Sequence, residues 1–169
     1  MSIQCTKVKP NGQQCKMRTL KGPFCWIHAQ QYGVRVKPSG IHNLGLFATK
    51  TYRVNEAIDE YKGDILEIPI DDVPANKDYV FTITDNYHVD GENPNSSFAR
   101  YINDSRGTNL RPNTKWAVDR RNKVVRVRAK RHINGTKANP VELLIKYGRQ
   151  YWTAARNRAK EANDEEDED

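Results

Sequence analysis

The sequence predicts a mainly β fold, with a short helix toward the C-terminal end and a small Cys/His module at the N-terminal end. Three observations predict it. Short apolar stretches such as GLFATKTY and EAIDEYKGDILEI are bounded by Gly, Asn and Pro, the punctuation of strands and turns. The stretches DYVFTITD and KVVRVRAKRH alternate, as period-two geometry requires of a strand. All three cysteines fall in the first 30 residues, ahead of the β-rich part.

The N-terminal module comes first. Cys5, Cys15, Cys25 and His28 are spaced C-x9-C-x9-C-x2-H. Four soft ligands suit tetrahedral zinc, and a closed set of four implies a structural ion, with no open position for catalysis. Turn chemistry at Asn11-Gly12 and Gly22-Pro23 lets the chain fold back and bring the thiolates together. The competing readings are a disulfide or unrelated thiols. A disulfide would leave one of the three cysteines unpaired, and nothing in the sequence indicates an oxidising compartment. A zinc module over residues 1–32 is therefore expected. Its five Lys/Arg and absence of acids in residues 1–30 would allow it to bind a partner or nucleic acid.

Residues 34–110 read as short strands and turns, and residues 111–148 as basic strands. In DYVFTITD, Val80 opposes Phe81 and Ile83. In KVVRVRAKRH, Val125, Val127 and Ala129 share one face while Arg126, Arg128 and Lys130 share the other. Those cations are read either as a solvated strand face or as a substrate-facing patch. QYWTAARNRAKEAN favours helix by composition. The acidic end that follows has too little apolar surface to order itself, so residues 153–169 are expected to be a helix and a disordered tail.

Composition narrows the function classes. The chain has 169 residues and a net charge of +7. Residues 1–160 hold all 28 Lys/Arg and 14 of the 21 acids, a net +14, whereas residues 161–169 hold seven acids and no base. A basic body with an acidic tail suggests an acidic partner, or a tail that shields the body; plain solubility is the simpler alternative. No apolar run approaches the ~18 residues of a membrane span. MSIQCTKVKP lacks the apolar core of a secretory signal, so the expectation is an intracellular protein.

Five separated pieces carry the chemistry. They are Asn43-Leu44-Gly45 before Leu46-Phe47-Ala48; Tyr61-Lys62-Gly63; Arg100-Tyr101-Ile102-Asn103-Asp104-Ser105 with Pro112-Asn113; Arg128 to Ile133; and Glu142 to Gly148, followed by Tyr151-Trp152. In this order, over about residues 34–152, the set resembles the SET domain of S-adenosylmethionine-dependent protein-lysine methyltransferases. The Tyr-Trp pair is similar to the ending of small viral SET proteins.

The resemblance implies a β-clip of small curved sheets around a knot-like crossing. S-adenosylmethionine would enter one face and the target lysine the other, with a narrow channel between. A Gly-bearing loop lets backbone approach a ligand closely. An Asn offers donors and an acceptor, and an Arg can hold a carboxylate bidentately. On this basis Asn43, Leu44, Gly45, Arg100, Asn103, Asp104 and Trp152 are the implied cofactor-binding residues. Tyr147 and Tyr61 are the implied catalytic residues, and Tyr101 and Trp116 the implied channel walls. A surface ion pair for Arg100 and core packing for the aromatics are the plainer alternatives. His42, His88 and His132 are isolated, read as structural or solvated, and given no role.

The chain departs from the family pattern at several points. Asn43 stands for the usual first Gly, and Asn tolerates positive φ, so the turn can survive. Asp104 stands for the usual His, and Lys146 for the usual Asp. No cysteine follows residue 25, so residues 149–160, led by Trp152, would close the cofactor pocket in place of a zinc-binding segment. The implied activity is lysine methylation of a histone tail, placing the protein in the nucleus or at a site of chromatin. The acidic tail, or Asp71, Asp72 and Asp78, would offset the basic body toward such a tail. Alternatives are methylation of a non-histone protein, or a SET-like scaffold that binds chromatin or nucleic acid without turnover. No membrane partner is implied, and a homodimer stays open.

Overall fold

The computed structural model describes residues 1–166. The strands in chain order are β1 (Ile3–Gln4), β2 (Arg18–Thr19), β3 (Val34–Pro38), β4 (Leu44–Ala48), β5 (Thr51–Tyr52), β6 (Ala57–Glu60), β7 (Asp64–Leu66), β8 (Val80–Thr84), β9 (Tyr87–Asp90), β10 (Asn103–Asp104), β11 (Thr114–Asp119), β12 (Val124–Ala129), β13 (Ile133–Asn134), β14 (Val141–Glu142) and β15 (Leu144–Ile145). Helix α1 covers Trp26–Tyr32 and α2 covers Thr153–Glu166. Single 3-10 turns lie at Ile70–Asp72 and Ala99–Tyr101.

The strands form small sheets in the orders β3-β4-β14, β11-β12-β6 and β7-β9-β8, with the pairs β1-β2, β5-β13 and β10-β15. This is the mainly β architecture of many small sheets that the sequence predicts. GLFATKTY divides into β4 and β5, and EAIDEYKGDILEI into β6 and β7. In β12 the alternation holds: Val125, Val127 and Ala129 are buried while Arg126 and Arg128 are half-buried. Strand β8 differs, because Val80 to Ile83 are buried on both faces. One face joins the main core, and the other meets Val73 and Ala154 in a smaller apolar cluster.

The crossing at the centre decides where the site lies. Strands β10 and β15 are parallel, with Asn103 opposite Leu144 and Asp104 opposite Ile145. The segment at 144–145 is held on its other side too. Asn113 accepts from the Leu144 amide through Oδ1 (2.8 Å), and Thr114 Oγ1 donates to the Leu144 carbonyl (2.8 Å). A polar segment and an apolar one from distant parts of the chain are thereby locked together, and every backbone group so used is spared an unpaired burial.

The N-terminal module docks by aromatic contact. Phe24 meets Tyr32 and Phe98 edge-on at 5.5 and 5.7 Å between ring centres. Gly22, at φ +72°, lies so close to the Phe98 ring that a Cβ would overlap it. Asp59 completes the joint: it accepts from the Tyr32 hydroxyl and from the Phe98 and Ala99 amides, each at 2.8 Å. Burial pushes its carboxyl above the usual range, against the pull of those hydrogen bonds.

Helix α2 runs to Glu166, farther than composition suggests, and its first two turns dock on the 70–78 segment. Ala154 packs against Val73 and Val80, and Asn157 Nδ2 donates to the Ile70 and Val73 carbonyls (3.1 and 2.9 Å). The helix takes in residues 161–166 of the acidic end expected to be disordered, and residues 167–169 lie outside the described residues. Among the described residues, no helix is long and apolar enough to cross a membrane.

Candidate active site

A cavity of about 620 Å³ opens between the 41–44 loop, the 100–106 segment and the stretch Tyr147–Trp152. That volume is within the usual range for a small-molecule site. The cavity gathers Asn43, Leu44, Arg100, Tyr101, Asn103, Asp104, Tyr147 and Trp152 from three distant parts of the chain.

Each wall has a local cause. Asn43 has φ +32°, so the loop turns as a Gly-bearing loop would. Ser39 closes the turn: its amide donates to the Asn43 carbonyl (2.9 Å), and its hydroxyl donates to Glu142 Oε1 (2.6 Å). Asn103 Nδ2 donates to the Leu44 carbonyl (3.0 Å), the His42 carbonyl (3.3 Å) and Glu142 Oε1 (3.2 Å). The amide nitrogen thus staples the loop, and what Asn103 can offer a ligand is its Oδ1.

Arg100 is clamped by Nε to the Gly91 carbonyl (2.7 Å) and by Nη2 to the Glu92 carbonyl (3.1 Å). Its guanidinium lies over the Tyr79 and Tyr101 rings at 4.2 and 4.7 Å. Asp104 accepts from the Arg106 amide and Nε at 2.9 Å each and pairs with its Nη2 at 2.8 Å. Arg106 in turn covers the Trp152 ring at 5.0 Å. Asp104, Arg106 and Trp152 form one continuous wall.

Three predicted residues stand off the cavity. Gly45 lies within β4 against the Glu142 carboxylate. Tyr61 is buried and donates to the Tyr79 carbonyl (2.5 Å). Trp116 donates from Nε1 to the Tyr147 carbonyl (3.0 Å). Both aromatics lie behind Tyr151, whose ring meets Tyr61 edge-on at 6.1 Å, stacks on Trp116 at 6.2 Å and touches Tyr147 at 4.1 Å. Tyr147 donates its hydroxyl to the Ile102 carbonyl (2.7 Å), which leaves the oxygen lone pairs for a second partner.

Tyr79, Tyr151 and Arg106 also line the cavity and escaped the sequence reading. Tyr151 carried a signal, since it belongs to the Tyr-Trp pair. Arg106, between the Arg100–Ser105 and Pro112-Asn113 pieces, carries none. Of the histidines, His42 lines the cavity. His88 is wholly buried, its ring nitrogens within 2.9 Å of Thr82 Oγ1 and the Ile68 carbonyl, which is a structural role. The patch Arg126, Arg128 and Lys130 does not line the cavity; Arg128 donates to the Asn55 carbonyl (2.9 Å).

Burial pushes the Tyr61, Tyr147 and Tyr151 hydroxyls well above the ordinary phenol range; for Tyr147 the neighbouring Tyr151 and Asp104 add to the effect. The native state therefore holds these protons where the unfolded chain, titrating near 10, releases them. Their stabilising contribution is complete below pH ~10 and is lost as pH rises further, by about 1.4 kcal/mol per pH unit for each group. The expected result is a steep loss of stability above pH ~10, with these phenols ionising together on unfolding. Ultraviolet phenolate absorbance against circular dichroism measures it; ionisation well before unfolding would contradict it.

The second cluster is the predicted metal set. One ligand atom each of Cys5, Cys15, Cys25 and His28 lies within 4.8 Å of the others. His28 Nδ1 is 3.5 Å from the Cys5 sulfur and 3.3 Å from the Cys25 sulfur. The three cysteines are buried and unpaired, so no disulfide forms. Three thiols and an imidazole nitrogen converging on one point fit a tetrahedral zinc ion.

No curated protein sequence matches this chain significantly. Solved structures do. A Plasmodium falciparum protein described as a histone methyltransferase is 22% identical, with TM-score 0.49, covering 71% of this chain and 96% of its own. An apo Polycomb Repressive Complex 2 chain is 22% identical, with TM-score 0.55, covering 74% of this chain. A chain of the Chaetomium thermophilum Polycomb Repressive Complex 2 bound to GSK126 is 19% identical, with TM-score 0.55, covering 76%. This chain spans 16% and 17% of those two Polycomb chains, and the likeness concerns the fold. The family model described as the SET domain matches residues 43–148, most of the β-rich part including the crossing and the cavity walls up to Tyr147, and the chain belongs to the SET domain family.

Proposed function

We propose that the protein is an S-adenosylmethionine-dependent protein-lysine N-methyltransferase acting on a histone tail. The observation that carries this reading is the Tyr147 hydroxyl, held beside a ligand-sized cavity by the Ile102 carbonyl and backed by an aromatic cluster. The residues present fit the cofactor. The 42–44 backbone, Asn103 Oδ1 and the Asp104–Arg106–Trp152 wall would hold it. When bound, S-adenosylmethionine supplies a methyl group activated by its sulfonium.

The chain's own residues do the rest. Tyr61, Trp116, Tyr147 and Tyr151 make an apolar surround that favours the neutral form of a lysine amine. Their rings also suit the lysine stem and any ammonium. The lone pairs of the Tyr147 hydroxyl can accept from the amine N–H, which fixes its direction. Orientation is the main lever available to a displacement at carbon.

The remaining assignments belong to the same proposal. Residues 1–32 are the zinc module, 33–152 the SET domain and 153–169 the C-terminal helix and tail. Asn43, Leu44, Gly45, Arg100, Asn103, Asp104 and Trp152 serve the cofactor, Gly45 by letting the loop lie flat on Glu142. Tyr101 and Trp116 shape the channel. The protein works at chromatin inside the cell. Of the acids that would offset the basic body, Asp71 pairs with Lys160 (3.0 Å) and Asp78 with Arg158 (3.1 Å), and both stay exposed.

A second reading, a scaffold without turnover, draws on the Asp104–Arg106 pair that occupies part of the cavity wall. One experiment decides. Labelled S-adenosylmethionine and core histones are incubated with the protein and with Tyr147→Phe. Transfer by the native protein, reduced by roughly 100-fold or more in the variant, is the expected result. Absence of transfer together with absence of cofactor binding in calorimetry overturns the enzyme reading.

A further inference from the structure

A second cavity, of about 510 Å³, shares Trp152 with the first. Three arginines from three elements line it. Arg120 comes from the tip of the β11–β12 hairpin, Arg149 from the segment after Tyr147, and Arg156 from α2. Among the described residues, the only carboxylate lining it is Asp85. Among the described residues, Arg120 and Arg149 have no carboxylate within 4.0 Å, and Arg156 has a single contact at 3.5 Å, to Asp71.

Like charges gathered in a concave space repel, and the repulsion is stronger where water is partly excluded. The arrangement is favourable once an anion sits among them. Arginine is the side chain suited to that task, since its planar fork meets carboxylate or phosphate oxygens in pairs. The hydroxyl of Thr84 adds a neutral donor at the same cavity.

Position tells which anion. Arg149 is two residues from Tyr147 and two from Tyr151, and the Gln150 carbonyl between them accepts from the Thr82 amide (2.8 Å). The strip that separates the arginine cavity from the aromatic cluster is therefore a single turn, closed by the Trp152 amide donating to the Arg149 carbonyl (3.2 Å) and tied to β8. An anion in the second cavity lies beside the place where a target lysine would be received.

We propose that this cavity binds an anionic side chain, carboxylate or phosphate, that flanks the target lysine in the protein substrate. The inference rests on the lysine-methyltransferase reading for the identity of the occupant. It selects substrates in which the lysine has an acidic or phosphorylated neighbour over those surrounded by basic residues alone.

The test is fluorescence anisotropy with matched lysine peptides that differ at the flanking position: serine, aspartate or phosphoserine. The native protein should bind the anionic peptides at least ~10-fold more tightly than the serine peptide, a difference of about 1.4 kcal/mol. Inorganic phosphate should erase the difference without any variant being made. In the double variant Arg120→Gln and Arg149→Gln, both exposed positions, the preference should vanish while the thermal transition stays in place. A tighter phosphoserine peptide assigns the site to phosphate, and equal binding assigns it to either anion. Equal binding of all three peptides, or a preference that survives the double variant, overturns the proposal. So does an unrelated single-stranded oligonucleotide that binds through the same arginines while the peptides are not discriminated, which would make the arginines a general polyanion surface. Cofactor calorimetry is run in parallel. A null peptide result with the cofactor bound sinks this site alone, whereas absence of cofactor binding and transfer sinks the enzymatic reading and leaves the peptide result to decide the site.

Discussion

Replacing Cys15 with serine, or stripping the metal with a chelator, is expected to unfold residues 1–32 and to abolish zinc content. The local structure there cannot stand alone. Strands β1 and β2 have two residues each, and α1 has seven. A helix that short is marginal in water, and so is an isolated two-stranded ribbon. The interior of the module consists of Cys5, Cys15 and Cys25, with exposures of 0, 3 and 1%, flanked by Phe24. Without an ion those thiols form a very small apolar core. With one, the site supplies on the order of 10–16 kcal/mol, the apparent range for structural zinc.

The loss should reach the SET domain. Phe24 and Gly22 cover Phe98, which is 1% exposed, and Asn95 Nδ2 donates to the Gly22 carbonyl at 2.8 Å. That stretch leads directly into Tyr101 and Asn103 at the cavity. Hydrogen exchange should therefore rise over residues 1–32 first and over 93–103 next. Elemental analysis gives the zinc content and calorimetry the thermal transition. A chelated protein that melts as the native one does would contradict the assignment.

The second large effect is expected at Tyr151. Tyr151→Ala should cost about 3–5 kcal/mol, the usual range for removing a buried aromatic ring. The ring is 7% exposed and is enclosed by Tyr61, Trp116, Tyr147 and Trp152. Its removal leaves a void between the two cavities and frees Tyr147 to turn. Tyr151→Phe should cost far less, about 1 kcal/mol, because the ring packing is kept and only the hydroxyl is removed. Urea unfolding of the pair measures both. Similar losses in the two variants would mean that the hydroxyl, rather than the ring, holds the cluster together.

How much was legible from the chain differs by element. Strand β12 announced itself, because an alternating Val/Arg pattern encodes its faces residue by residue. The pairing of β10 with β15 has no such pattern. Each is two residues long, and they meet across about 40 intervening residues, so only motif resemblance pointed there. For α2, composition predicts a helix that gives way to a disordered acidic run, and it cannot show that Ala154 and Asn157 dock on the 70–78 segment. The same docking pairs Asp71 with Lys160 and Asp78 with Arg158, contacts that composition alone does not show.

The site divides in the same way. Residue types and spacing were enough to identify Cys5, Cys15, Cys25 and His28 as a ligand set, because soft donors in a closed group of four imply one kind of ion. Motif order was enough to bring Asn43, Asn103 and Tyr147 to one place. Tertiary structure decided what each of them does there. It spends the Asn103 amide on the loop, hides Tyr61 and Trp116 behind Tyr151, and covers Trp152 with Arg106. It also collects Arg120, Arg149 and Arg156 around one cavity from positions that look unrelated along the chain. The physical reason is range. Donor chemistry and strand periodicity are properties of neighbouring residues, whereas burial, charge clustering and the facing of rings depend on segments that meet only after the crossing has formed.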